Sequence, residues 1–156
     1  MVDLNFINPF ILGAVDALKV QGGLTVDAGK PFLKGKETMP PISIAAQLGL
    51  TSSQFKGAVS LCFEEKVFLK ILSNMFGEEV TEINGDNQDG ASEILNMVYG
   101  SAKTALNPRG YTFERAIPTV GRGMHLQPSH GRLPTLVIPL RCDVGFIYIE
   151  ITVQPG

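Results

Sequence analysis

The spacing of apolar positions changes along the chain, and each change predicts an element. NPFILGAVDALKVQGG repeats at three and four residues and predicts a helix, with Pro9 in its first turn and Gly22-Gly23 as the stop. LTVDAGKPFLK predicts a strand, or a strand pair turning at Asp27–Gly29. PPISIAAQLGL alternates, placing Ile42, Ile44, Ala46, Leu48 and Leu50 on one face. After a turn at Thr51-Ser52-Ser53, QFKGAVSLCF returns with Phe55, Val59, Leu61 and Phe63 inward. EEKVFLKILSNMFGEE returns to helical spacing and ends at Gly77. A polar loop, NGDNQD, then supplies Asp86, Asn87 or Asp89 to cap a third helix running to about Leu106. Its core face is Ile94, Leu95, Val98, Ala102 and Ala105. TFERAIPTV reads as a strand. TLVIPLRC and GFIYIEITV read as a closing hairpin about Asp143-Val144-Gly145, with Pro139 marking an edge or a bulge.

Short joins between these elements predict an α+β fold. It has a mainly antiparallel sheet of about six strands, two long helices and one shorter helix packed on it. The two halves also resemble each other. GGLTVDAGKP aligns with RGYTFERAIP, and ahead of them Ala17-Leu18 aligns with Ala105-Leu106. Asn8 then falls on Asn96 and Asn5 on Glu93. An internal duplication predicts that the first and third helices are related by a pseudo-twofold axis.

Composition narrows the class. The 156 residues suit a single domain spanning 1–156. A net charge of −2 without a basic run gives no footprint for nucleic acid or a membrane surface. No apolar run approaches the roughly 20 residues of a spanning helix. The start lacks a basic n-region and carries Asp3 before its apolar stretch. These features predict a cytoplasmic, soluble protein. Cys62 and Cys142 sit in strand-like runs and read as two free buried thiols.

One stretch, GASEILNMVYGSAK, does not fit a purely structural role comfortably. Opposite the core face it carries Glu93, Asn96, Gly100 and Lys103. Glu and Asn three apart are helix-surface neighbours, and that spacing alone also fits a solvated face. Asn and Gly are both poor helix formers, and glycine costs roughly 1 kcal/mol against alanine. Two such residues on one face suggest close approach by something else. Asn96 does not titrate, so it is no general base; its carboxamide accepts and donates, and so can orient a water. Hydrolysis of a phosphoryl group needs mainly positioning and charge neutralisation. The chain has no P-loop and no evident carboxylate cluster for Mg²⁺, so the phosphate and metal would belong to a partner. Glu93 would then dock a cation of that partner.

Other candidates carry less. His125 and His130 share a Gly/Pro-containing loop, and one of them beside Cys62 or Cys142 would make a thiol hydrolase. Glu64-Glu65 suits a helix start, and Glu78-Glu79 suits solvated surface.

With these residues in place, the chain resembles the CheC/CheX/FliY phosphatases of bacterial chemotaxis, and the CheX type most. The resemblance rests on NPFILGAVDAL, GKPFLK, KGAVSLCF, NMFGEE, DGASEILNMVYGSAKTAL and AIPTVGRGMH. Its motif, an Asp or Ser, then Glu four residues on, then Asn three further, then a proline some twenty residues later, falls on Asp89, Glu93, Asn96 and Pro118. Ser92 stands where much of the family has glycine. The resemblance implies a phosphatase for the phosphoaspartate of a CheY-like response regulator. Asn96 would orient the water and Glu93 would meet a lysine of the regulator. Asp89, Gly100 and Pro118 would line the contact. No cofactor would be held by this chain, with Mg²⁺ bound by the regulator. Asn5 and Asn8 lack the Glu, which implies one active site. A homodimer through a sheet edge is a further expectation, with the closing hairpin as that edge. The alternative is a non-catalytic module that binds a response regulator or flagellar-switch protein.

Overall fold

In a computed structural model of the protein, residues 4–52, 55–114, 116–122 and 134–155 are described, side chains at 55, 154 and 155 excepted. The elements are α1 (Leu4–Val20), β1 (Asp27–Ala28), β2 (Phe32–Leu33), β3 (Ile44–Thr51), β4 (Phe55–Phe63) and α2 (Glu65–Phe76). After them come α3 (Gly90–Leu106), a 3-10 turn (Asn107–Arg109), β5 (Thr119–Arg122), β6 (Leu136–Cys142) and β7 (Gly145–Pro155). The strands form one sheet ordered β1-β6-β7-β4-β3-β5, with β2 also on β6. Every described pairing is antiparallel. The α+β class is as expected, and no described helix is long and apolar enough to cross a membrane.

The sheet order is a palindrome. β4 and β7 lie at its centre, β3 and β6 flank them, and β5 and the β1–β2 segment close the two ends. α1 and α3 pack together at a matched point: a Cβ on Gly13 would meet the Ser101 Cβ at 3.2 Å. Gly13 and Ser101 are equivalent in the alignment that pairs Asn8 with Asn96, so the dyad passes between them. The duplication read from the sequence thus has its twofold.

One face of the sheet carries the three helices. Ile44, Ala46, Leu48 and Leu50 of β3 and Val59, Leu61 and Phe63 of β4 meet Phe10, Leu18, Phe68, Ile94, Leu95 and Val98 in one core. Ile42 departs from the expected set. β3 begins two residues later, and Ile42 packs on the opposite face with Ala45, Cys62, Val137 and Tyr148. Ala105, expected in the core, is exposed, and Leu106 beside it is buried instead. Cys62 belongs to that opposite-face cluster while Cys142 packs against the main core, and both thiols are free.

Proline chemistry explains three local departures. Pro9 lies within α1 rather than in its first turn. It has no N–H, so the Asn5 carbonyl has no helical donor four residues on. Arg109 supplies one, its Nη1 donating to the Asn5 carbonyl at 2.8 Å. Pro139 sits in an interior strand, so the closing hairpin offers no free edge; the sheet ends at β5 and at β1. Gly29 N–H bonds the Pro139 carbonyl at 2.8 Å, which points the missing proline donor at this same neighbour. The partner bulges there, splitting β1 from β2. Asp27–Ala28 is therefore strand, not turn. The described strand within TFERAIPTV begins at Thr119, and before it Glu114 N–H bonds the Thr51 carbonyl at 2.8 Å.

Candidate functional site

The turn ahead of α3 is locked by the side chains of Asn84 and Asn87. Asn84 Oδ1 accepts from the N–H groups of Asp86 and Asn87 at 2.9 and 3.1 Å, and Asn87 Oδ1 accepts from Asn84 N–H at 2.9 Å. A run of turns then feeds the helix. Asp89 occupies the N-cap position but makes no side-chain capping bond. Its carboxylate stays exposed at the positive end of the helix.

Asp89, Glu93, Asn96 and Gly100 are all exposed. At 3.6 residues per turn their 4-3-4 spacing keeps them on one narrow stripe. Their neighbours Ile94, Leu95 and Val98 are buried and hold the stripe outward. No hydrogen bond joins the Glu93 or Asn96 side chain to another described residue. A Cβ on Gly100 would meet nothing within 4 Å. Close helix packing therefore does not account for this glycine; it leaves a gap beside Asn96 open to solvent. Lys103, farther along, is half-buried.

The dyad places Asn5, Asn8 and Leu12 of α1 in the positions of Glu93, Asn96 and Gly100. All three are exposed, and Leu12 shows 68% of its surface. At these positions the first half thus has no carboxylate and puts a leucine where the second half has a gap.

Pro118 is half-buried in the chain leading to β5. The structure does not put it on the helix stripe. Two contacts bring its segment alongside. The Tyr99 hydroxyl donates to the Glu114 carbonyl at 2.9 Å, and Arg122 Nη1 donates to the Ile83 carbonyl at 2.8 Å. Burial raises the Tyr99 phenol pKa above its ordinary value, which keeps its hydroxyl a donor. The two ties fix Glu114 to α3 at Tyr99 and Arg122 to Ile83, ahead of the helix. Tyr99 and Arg122 were missed by sequence reasoning. Tyr99 lies three residues from Asn96, yet nothing in the spacing tells that its hydroxyl reaches residue 114.

The arrangement can present a carboxylate and a neutral donor–acceptor to another molecule. Among the described residues no three His, Cys, Asp or Glu side chains are grouped to hold a metal ion. His125 and His130 lie outside the described residues. Cys62 is buried, and burial first, then the Glu150 charge, push its thiol pKa well above the ordinary value, the reverse of an activated nucleophile.

The model of the family described as chemotaxis phosphatase CheX matches residues 44–141, from β3 into β6. A CheC-like superfamily protein from Shewanella sp. PV-4 is 32% identical, with a TM-score of 0.86 over 98% of this chain and 99% of that one. The chemotaxis protein CheX of Vibrio vulnificus is 30% identical, with a TM-score of 0.85 over 96% of this chain and 99% of that one. The CheX–CheY–BeF₃–Mg²⁺ complex of Borrelia burgdorferi shares the fold at 20% identity, with a TM-score of 0.78 over 99% of both chains. No curated protein matches the chain. A duplicated sheet, an exposed Glu–Asn helix stripe and these matches across most of the sequence agree: the chain belongs to the CheX family of chemotaxis phosphatases.

Proposed function

We propose that this protein removes the phosphoryl group from the phosphoaspartate of a CheY-like response regulator. The observation that carries the reading is the α3 stripe, where Glu93 and Asn96 are exposed, without hydrogen bonds to the described chain, and bordered by the gap at Gly100. Asn96 enters the regulator's site, and its carboxamide orients a water towards phosphorus. Oxygen of that water bonds to phosphorus, the bond from phosphorus to the aspartyl oxygen breaks, and inorganic phosphate and a free carboxylate result. The water's proton passes to phosphate or solvent. A Mg²⁺ ion held by the regulator would supply charge neutralisation at the phosphoryl oxygens. Glu93 pairs with a lysine of the regulator, and Asp89, Gly100 and Pro118 border the contact. The Borrelia protein in complex with CheY, BeF₃ and Mg²⁺ has this fold, which supports the choice of partner. Only α3 is proposed to act, since α1 replaces Glu93 by Asn5 and the gap by Leu12.

The test is a panel of receiver proteins loaded with acetyl phosphate, with the chain present in catalytic amounts. Faster phosphate loss from a cognate receiver is expected, and Asn96→Ala abolishes it while the thermal midpoint is kept. Full activity in Asn96→Ala would remove Asn96 from the mechanism. Binding of the phosphorylated receiver with no change in its lifetime would identify a non-catalytic module.

A further inference from the structure

Ile117 is 84% exposed, more than any other large apolar side chain among the described residues. A single exposed apolar residue is ordinary by itself. This one is held in place. Ala116 and Val120 on either side of it pack against the main core. Glu114 is tied through both its backbone groups, to Thr51 and to Tyr99. On the far side, β5 pairs with β3 and Arg122 bonds the Ile83 carbonyl. Isoleucine is itself stiff at χ1, and next to it stands a proline of fixed φ. Such a side chain loses little freedom on being covered.

Its position relates it to the helix stripe. At about 100° per residue, Tyr99 lies roughly 60° round α3 from Asn96. The segment tied by Tyr99 therefore runs along the Asn96 side of the stripe. Met97, 37% exposed, lies on the other side, beyond Glu93. Two polar side chains with apolar ones on both flanks have the anatomy of a protein contact surface, in which apolar anchors supply most of the binding.

We infer that Ile117 is a specificity-determining anchor for the phosphorylated receiver protein, with Tyr99 the positioning residue that holds its segment in place. The inference rests on the phosphatase reading. Ile117 covers receiver surface away from the phosphorus, so it binds ground state and transition state alike. It should act on KM and leave kcat alone.

The experiment uses the receiver whose dephosphorylation the wild-type chain accelerates, with Ile117→Val, Ile117→Ala, Ile117→Asp and Tyr99→Phe. Ile117→Ala should raise KM about tenfold with kcat within about twofold, and Ile117→Asp should raise it further. Ile117→Val should stay near wild type, and Tyr99→Phe should raise KM in the same direction. Calorimetric binding to the BeF₃–Mg²⁺-loaded receiver should weaken in parallel, with thermal midpoints unchanged for the exposed Ile117 variants. Unaltered KM in Ile117→Asp, or loss of kcat alone, overturns the inference while leaving a phosphatase that depends on Asn96. If wild type accelerates no receiver, the phosphatase reading falls and takes this inference with it.

Discussion

Gly13 of α1 and Ser101 of α3 face each other, and they are the same position in the two halves of the chain. A Cβ on Gly13 would stand 3.1 Å from the Val98 carbonyl and 3.2 Å from the Ser101 Cβ. Close approach at the dyad lets two helices share one face of one sheet. Their stripes, Asn5–Asn8 and Glu93–Asn96, are thereby held side by side and run in opposite directions. Gly13→Ala sets two opposing effects together, a helix-propensity gain of about 1 kcal/mol and two contacts that must loosen. Its urea midpoint should stay near wild type. Gly13→Leu has no such balance and should lose about 1–3 kcal/mol by overpacking. A Gly13→Leu chain as stable as wild type would show that the helix contact tolerates widening.

Arg109 and Pro9 should be coupled although they do not bond each other. The Arg109 guanidinium satisfies the Asn5 carbonyl only because Pro9 cannot. Arg109→Ala should cost about 1 kcal/mol in the wild-type background, at the modest end for a solvent-exposed bond. In a Pro9→Ala background the alanine N–H can take over the Asn5 carbonyl, and the same change should cost less. A double-mutant cycle in urea measures the difference. Equal costs in both backgrounds would mean that Arg109 does not stand in for the missing donor.

The fold was legible where periodicity alone sets burial. β3 and β4 alternate as their residues do, and the Glu93–Asn96 stripe follows from 3.6-residue spacing. It was less legible where an element's end decides the outcome. Ile42 continues the alternation of β3 on paper, but the strand starts at Ile44 and the residue turns to the other face. None of Asp86, Asn87 and Asp89 caps the helix by its side chain; Asn84 and Asn87 close the turn before it instead. Ties such as Tyr99 to Glu114 and Arg109 to Asn5 depend on how distant segments meet, which local spacing does not encode. The helix face suggested borrowed chemistry. The family resemblance named the kind of partner, because a carboxylate and a carboxamide alone are too common to do so.

Cys62 should behave as a buried thiol and Cys142 should not. Cys62 is 5% exposed, and burial, the nearby Glu150 charge and a hydrogen bond to Glu150 raise its pKa, with Lys34 opposing them. A raised folded-state pKa means the neutral thiol is favoured in the native protein. That contribution to stability is complete below the ordinary value of 9.0 and is lost as pH climbs beyond it. Urea midpoints should therefore fall above about pH 9, and Cys62→Ala should lessen that fall. At pH 8 a thiol reagent should modify Cys142 in the native protein and Cys62 only on unfolding. Rapid native modification of both would contradict the packing, and alkylation of Cys142 should leave phosphatase activity unchanged.

Gly100 separates stability from activity most sharply. A Cβ there meets nothing, so a larger residue is accepted by the fold. Leucine is the better helix former by about 0.8 kcal/mol, and Gly100→Leu should raise the urea midpoint accordingly. The same substitution copies Leu12 onto the second half and fills the gap beside Asn96. If a regulator must approach the helix backbone there, phosphate release should slow by at least about tenfold, a loss of roughly 1.4 kcal/mol of transition-state stabilisation. Gly100→Ala should stabilise by about 1 kcal/mol, at least as much as leucine, and should slow phosphate release less than leucine does. The opposed movement is the informative result, because a merely unfolded variant loses both. Undiminished activity in Gly100→Leu would show that no partner comes close to this turn, and would shift the contact towards the Asp89 end of the helix.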